Sequence, residues 1–133
     1  MTKKLYELTE GEWAIIQTVW DKQPCAAPTV QEELQNVKSW SYSTVKTMMD
    51  RMVTKGLLTT TRIRNLMLYS AAITRKEAQR GEIMRALKRA FDGALTPMMQ
   101  FMLDNSELTP EQLSKLEALI KKKRIDASRT KKK

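Results

Sequence analysis

The 133-residue sequence predicts a mainly α-helical chain with one small β-hairpin. Three observations carry that expectation. Apolar residues recur at helical spacing in several segments, most of them opened by a capping residue. Residues 57–73 instead hold two runs rich in β-branched and aromatic side chains, on either side of the cationic turn Arg62-Ile63-Arg64-Asn65. Hydrophobic residues make up 41% of the chain, enough for a core, and no apolar run approaches membrane-spanning length.

The first helix opens at Thr9-Glu10-Gly11-Glu12, which has the capping-box form. Trp13, Ile16 and Trp20 then share one face, with Val19 beside them, and Pro24 ends the helix near residues 21–23. Pro28 or Thr29 opens a second, short helix that carries Val30 and Leu34 inward, and residues 36–40 read as a turn. Ser41 caps a third helix, in which Val45, Met48, Met49 and Met52 fall at i, i+3, i+4 and i+7 and form one buried stripe. Gly56 suits the left-handed position that closes such a helix. Residues 57–62 and 66–73 follow as two antiparallel strands. A hairpin this small needs a further partner, expected from a short extended piece near Ala26 and Ala27.

Thr74 and Glu77 form a second capping box and start a long helix bearing Ile83, Leu87, Phe91 and Leu95, interrupted at Gly93 and Pro97. Met98, Met99, Phe101, Met102 and Leu103 make a short helix apolar on nearly every side, which has to be buried on several of them. Thr109-Pro110-Glu111-Gln112 opens a last helix with Leu113, Leu116, Leu119 and Ile120 along one face.

Composition narrows the chemistry. The chain has no histidine and a single cysteine, Cys25, so the commonest general base, the commonest metal ligand and any internal disulfide are absent. No nucleophile–base pair or metal cluster can be assembled, and neither an enzyme nor a bound cofactor or metal is expected. Cys25 reads as a small, half-buried loop residue. No apolar leader with a cleavage site follows the N-terminus, which points to a cytoplasmic protein without membrane insertion.

The formal net charge of +9 is unevenly spread. Residues 121–133 hold eight Lys/Arg against one acid and read as a solvated, disordered tail. Residues 7–36 carry six acids and one lysine, whereas residues 38–64 carry six basic groups and only Asp50. Positive charge is thus gathered on the third helix and the hairpin, where a phosphate backbone would lie.

Three helices followed by a basic hairpin are the outline of a winged helix-turn-helix, which makes double-stranded DNA the expected partner. On the helical wheel Ser43, Thr47, Asp50 and Thr54 face away from the buried stripe, flanked by Lys46 on one side and by Thr44 and Arg51 on the other. Ser43, Thr44 and Thr47 suit base edges, thymine methyls or phosphates, Lys46 suits a guanine edge or a phosphate, and Arg51 suits the backbone. Arg62, Arg64 and Asn65 at the hairpin tip suit phosphate or minor-groove contact. Asp50 would repel phosphates. Deep in the groove it would accept from a cytosine amino group; on a wet surface it would pair with Lys46 or Thr54.

The C-terminal segment has apolar faces but no compact core. Leu87, Phe91, Leu95, Met98, Met99, Phe101, Met102, Leu113, Leu116, Leu119 and Ile120 are the candidate dimer contacts, since a second copy would cover them. The expected organisation is a winged-helix DNA-binding domain over residues 1–74, a helical dimerisation arm over 75–122 and the basic tail over 123–133.

Several of these motifs carry a resemblance. Leu8-Thr9-Glu10-Gly11-Glu12-Trp13 through Val19-Trp20, Val30-Gln31-Glu32-Glu33-Leu34, and above all Trp40-Ser41-Tyr42-Ser43-Thr44-Val45-Lys46-Thr47 with Arg51 and Lys55-Gly56 resemble the penicillinase-repressor (BlaI/MecI/CopY) family of winged-helix transcriptional regulators. The likeness continues through Tyr69-Ser70, the long helix and residues 113–117. It implies a dimeric repressor on a palindromic operator, with dimer contacts in the C-terminal helices. It also implies a membrane sensor or protease pathway that cleaves the arm at a position matching Gln100-Phe101, where relatives usually carry Asn before the Phe. The paired C-terminal cysteines of copper-responsive members are missing. Two other readings fit the residues alone: a non-specific DNA-coating protein working through its tail, and a winged-helix adaptor that binds protein.

Overall fold

The structure, a computed structural model, describes residues 4–131, with side-chain burial through residue 129. It divides into two compact units, Met1–Ala86 and Leu87–Lys133.

In the first unit the order is α1 (Glu10–Lys22), α2 (Ala27–Glu33), α3 (Gln35–Lys38), α4 (Tyr42–Thr54), β1 (Leu58–Ile63), β2 (Leu66–Ala71) and the start of α5 (Arg75–Phe91). The capping signals act as the sequence requires. Thr9 Oγ1 accepts from the Glu12 N–H while Glu12 accepts from the Thr9 N–H. Ser41 Oγ accepts from the Thr44 N–H, and Thr74 and Glu77 repeat the reciprocal pair. The α4 C-terminus closes on Gly56 at φ +83°, with the Leu57 N–H donating to Met52 and the Gly56 N–H to Val53. Those two bonds satisfy carbonyls that would otherwise be orphaned at the helix end.

Ile15, Ile16 and Val19 of α1 meet Val30 of α2 and Val45, Met49 and Met52 of α4 in a core from which all seven side chains are fully excluded from water. Each such side chain contributes about 1.5–3 kcal/mol of burial. Met48 sits at the edge of the stripe, only partly buried, against Trp40 and Gly11. The region expected as a turn at residues 36–40 is partly helical, forming α3, and ends with Ser39 in the left-handed region.

The hairpin pairs Leu58 with Ala71 through Ile63 with Leu66, so Arg64 and Asn65 alone form the turn, with Arg64 at φ 59°. The further strand contact does come from the extended piece beside Ala26 and Ala27, where Cys25 supplies it. Cys25 and Tyr69 exchange backbone hydrogen bonds at 3.0 and 2.7 Å. Ala26 and Ala27 are taken by the start of α2, where Pro28 suits the first helical turn. Trp20 Nε1 donates to the Ile73 carbonyl and the Ala71 N–H donates to Gln23 Oε1, fastening the returning strand to α1.

The first unit continues past residue 74 into α5. The first turns of α5 belong to the first unit because the extended segment before α1 runs across them: Ala78 and Gly81 are buried, and Arg85 Nη1 donates to the Tyr6 carbonyl at 2.7 Å.

In the second unit α5 stops where Asp92 and Gly93 both take positive φ. Leu95 therefore opens α6 (Leu95–Asn105) and does not continue α5, and Pro97 sits in the first turn of α6, where it breaks nothing. The helix expected to be buried on several sides has only Met98 buried; Phe101 is 58% exposed. Thr109 and Gln112 cap α7 (Pro110–Lys131), which runs through most of the expected disordered tail as helix. The last two residues of that tail lie outside the described residues.

A Cβ on Gly81 would meet the Tyr6 carbonyl oxygen and lie 2.9 Å from its nitrogen. Ala would favour the helix by about 1 kcal/mol, but overpacking against backbone costs about 1–3 kcal/mol. Gly81→Ala is expected to lower stability by up to about 2 kcal/mol in a urea titration. A variant stabilised by the full helix-propensity gain would show that the N-terminal segment does not seat there.

Candidate nucleic-acid interface

With Val45, Met49 and Met52 inward, α4 has to turn Ser43, Thr44, Thr47, Asp50 and Arg51 to solvent, and all five are exposed. At its N-terminus the Ser41 hydroxyl shares a 3.1 Å hydrogen bond with Ser43 and donates to Thr44 Oγ1. The backbone there thus meets a cluster of short hydroxyls. Thr47 has no side-chain partner among the described residues. In the hairpin only Leu58 of β1 is buried, and residues 59–66 are all exposed, so Arg62, Arg64 and Asn65 stand on a projecting wing.

The cations of residues 38–64 are not equally available. Lys38 Nζ donates to Glu10 at 3.0 Å, and Lys55 Nζ donates to both oxygens of the buried Glu12 at 2.8 and 2.9 Å. The acidic α1 therefore neutralises part of the basic segment within the fold. Burial raises the Glu12 pKa, but the bonds from Lys55 and Thr9 outweigh it, and the carboxyl is held below its ordinary 4.5.

Lys46, expected to reach guanine or phosphate, is held by Asp50 Oδ1 and Oδ2 at 2.9 and 2.8 Å and by the Tyr69 hydroxyl at 2.8 Å. Tyr69 Oη donates in turn to Asp50 Oδ1 at 2.7 Å. The bond to Asp50, then that to Tyr69, pushes the Lys46 pKa up, and the Lys46 bond holds Asp50 down. Burial raises the Tyr69 pKa. Of the two roles open to Asp50, pairing with Lys46 is the one the fold realises. Arg51, Arg62 and Arg64 are left without an ion pair among the described residues, and Arg62 shares a groove with Tyr42 and Lys46 of α4.

Sequence reasoning read Tyr69 only as a strand former. Its signal was present: a buried phenol has to find a hydrogen-bond partner. Glu12 was read only as a cap; its bond to Lys55 spans 43 positions, beyond any local motif. Cys25 is buried, which raises its thiol pKa, and no group of three acids or thiols is placed to hold a metal among the described residues. No helix among them is long and apolar enough to cross a membrane.

A three-helix body, a polar-faced helix at its surface and a cationic hairpin define a winged-helix DNA-binding regulator. The family model described as penicillinase repressor matches residues 8–122, and the chain belongs to that family, whose members are DNA-binding transcriptional repressors and not enzymes. It is 21% identical over 123 residues to the methicillin resistance regulatory protein MecI of Staphylococcus aureus, covering 92% of this chain and 100% of that one. It is 25% identical over 114 residues to the penicillinase repressor of Bacillus licheniformis, covering 86% and 89%. The fold is similar to that of Bacillus licheniformis BlaI, solved as a monomeric form in complex with the blaP half-operator. The TM-score is 0.50 and the identity 24%, covering 57% of this chain and 93% of that one.

Glu12 ties the N-terminus of α1 to the end of α4. A carboxylate held below its unfolded pKa adds stability above that value and loses it as pH falls. Glu12→Gln keeps a capping residue but loses the charge, at an expected cost of about 1 kcal/mol near neutral pH, the half-exposed Lys55 being partly screened. The difference in Tm between the two proteins should close as pH falls below 4.5. A constant difference across that range would show that the ion pair contributes nothing.

Proposed function

We propose that the chain represses transcription as a homodimer on a palindromic operator, each copy reading one half-site through Ser43, Thr44, Thr47 and Arg51 of α4 and through Arg62, Arg64 and Asn65 of the wing. The observation that carries the DNA contact is the coincidence on one unit of a solvent-facing hydroxyl surface and three unpaired arginines. Short hydroxyls tolerate the closeness of base edges, and arginines supply the phosphate contacts that set register. The similar BlaI domain is described in complex with a half-operator, which favours the same use of the fold here.

The dimer rests on the second unit. Leu95, Phe101, Leu119 and Ile120 are each more than half exposed, and Met99, Leu103, Leu113, Leu116, Leu119 and Ile120 line an apolar groove of about 480 Å³. A surface of this kind calls for a partner, and a second copy of the same arm is the simplest. Joining two weak half-site readers raises operator affinity without adding a DNA contact, so anything that separates the arms releases the operator. Cleavage between Gln100 and Phe101 by a sensor-driven protease would do so. That bond lies in the middle of α6, with Gln100 Nε2 bonded to Asp104, so the helix has to unwind before a protease can take it in extended form.

Selection of bound DNA from a random pool should return a two-fold symmetric site. On one half-site, Thr47→Ala is expected to weaken binding by about 1–3 kcal/mol and to relax preference at one base pair. Arg64→Ala should weaken all sequences alike and lower the salt slope by about 0.9. Wild-type affinity in both variants would refute the assigned face.

The double variant Leu119→Glu, Ile120→Glu should sediment as a monomer. It should lose about 100-fold or more on the full operator while keeping its half-site affinity. A dimer that persists would place the interface elsewhere.

A further inference from the structure

We infer that Asp50 and Tyr69 hold the Lys46 ammonium back from DNA, making Asp50 a residue that sets operator affinity downward. This rests on the DNA-binding reading above and concerns the same face. An ammonium has three donors. Lys46 makes three contacts: one to each oxygen of the Asp50 carboxylate, and one to the Tyr69 hydroxyl. No donor is left for a phosphate or a guanine edge unless a bond is broken.

An exposed i,i+4 ion pair alone would not hold a lysine, because such pairs contribute little in water. Here the pair is anchored. Tyr69 is fully buried, its backbone is bonded to Cys25, and its hydroxyl closes the triangle by donating to Asp50 at 2.7 Å. The anchor lies on β2 and the pair on α4, so the network also fixes the helix against the wing. It cancels the one acid of the basic segment, so the carboxylate of Asp50 faces phosphates already compensated. A groove of about 310 Å³ lined by Tyr42, Lys46, Arg62 and Asn65 separates helix from wing. A released Lys46 has room to swing toward DNA through that space.

The test uses the full-length protein and a half-site DNA taken from the selection, titrated from about 50 to about 200 mM salt. Asp50→Asn keeps the shape of a half-exposed side chain and removes the charge. It is expected to bind more tightly at low salt and to steepen the salt slope by about 0.9, one added phosphate contact. The variant should therefore lose about three- to fourfold more affinity than wild type across that range. Adding Lys46→Met to Asp50→Asn should abolish the extra slope. Tyr69→Phe should shift the slope the same way by a smaller amount. In the free protein, the Lys46 ammonium signal in a nitrogen-resolved NMR spectrum should be protected from exchange in wild type and lost in Asp50→Asn.

An Asp50→Asn protein with wild-type slope, or an extra slope that survives Lys46→Met, would overturn the inference. So would a loss of preference at one base pair without a change in slope, which would set Asp50 against a cytosine amino group. Wild-type protein that binds no selected DNA at any salt would sink the DNA-binding reading itself and this one with it. That outcome is distinct from a wild type that binds and an Asp50→Asn variant that merely matches it.

Discussion

Everything on the exposed polar side of the first unit depends on how α4 is seated. Val45, Met49 and Met52 are fully buried against Ile15, Ile16 and Val19, and a helix buried along one stripe has no freedom to rotate without exposing it. Rolling α4 by one residue position would bring polar Lys46 or Asp50 toward the core. The penalty for burying either charge exceeds anything a surface contact returns. The outward direction of Ser43, Thr44 and Thr47 is therefore a consequence of packing. The Schellman closure at Gly56 and the Ser41 cap fix the axial limits of the same helix, so both ends and the rotation are set before any ligand arrives.

The electrostatics follow a division of labour between lysine and arginine. All three lysines of residues 38–64 are used inside the fold, on Glu10, Asp50 and Glu12, while Arg51, Arg62 and Arg64 are left to solvent. A lysine ammonium is a compact point charge that one carboxylate can satisfy, whereas a guanidinium offers five donors in a rigid fork suited to phosphate. Formal charge along the sequence consequently overstates what the interface presents. The positive segment and the acidic α1 are complementary surfaces of one core, and only the remainder is available for a partner.

The parts of this structure that were legible in the sequence are those set within about four positions. Thr9 with Glu12, Ser41 with Thr44, Thr74 with Glu77 and Thr109 with Gln112 each satisfy orphan N–H groups locally, so their pattern needs no knowledge of the fold. The methionine stripe of α4 was legible for the same reason. What escaped was set by distant partners. The Tyr69 hydroxyl finds Asp50 across 19 positions, and Gly81 admits the backbone of Tyr6 from 75 positions away. The tail was misjudged differently. A run of cations looks solvated, but α7 already has its cap at Thr109 and its nucleus in the Leu113–Ile120 turns, and extending an existing helix costs far less than starting one.

The second unit obeys the same physics with the opposite result. In the first unit one stripe per helix finds a facing stripe, and among the described residues the seventeen buried apolar positions run from Leu8 to Ala78 and include Met98 alone from the arm. Apolar side chains of α6 and α7, among them Phe101, Leu103, Leu119 and Ile120, stay exposed, because each helix can cover only one side of the other. Phe91 and Phe101 do meet, with ring centroids 6.0 Å apart, yet Phe101 remains more than half exposed, so even the best internal contact leaves surface uncovered. The first unit pairs its lysines with carboxylates, whereas the second leaves leucine and isoleucine bare, so the uncovered apolar surface is concentrated in the arm.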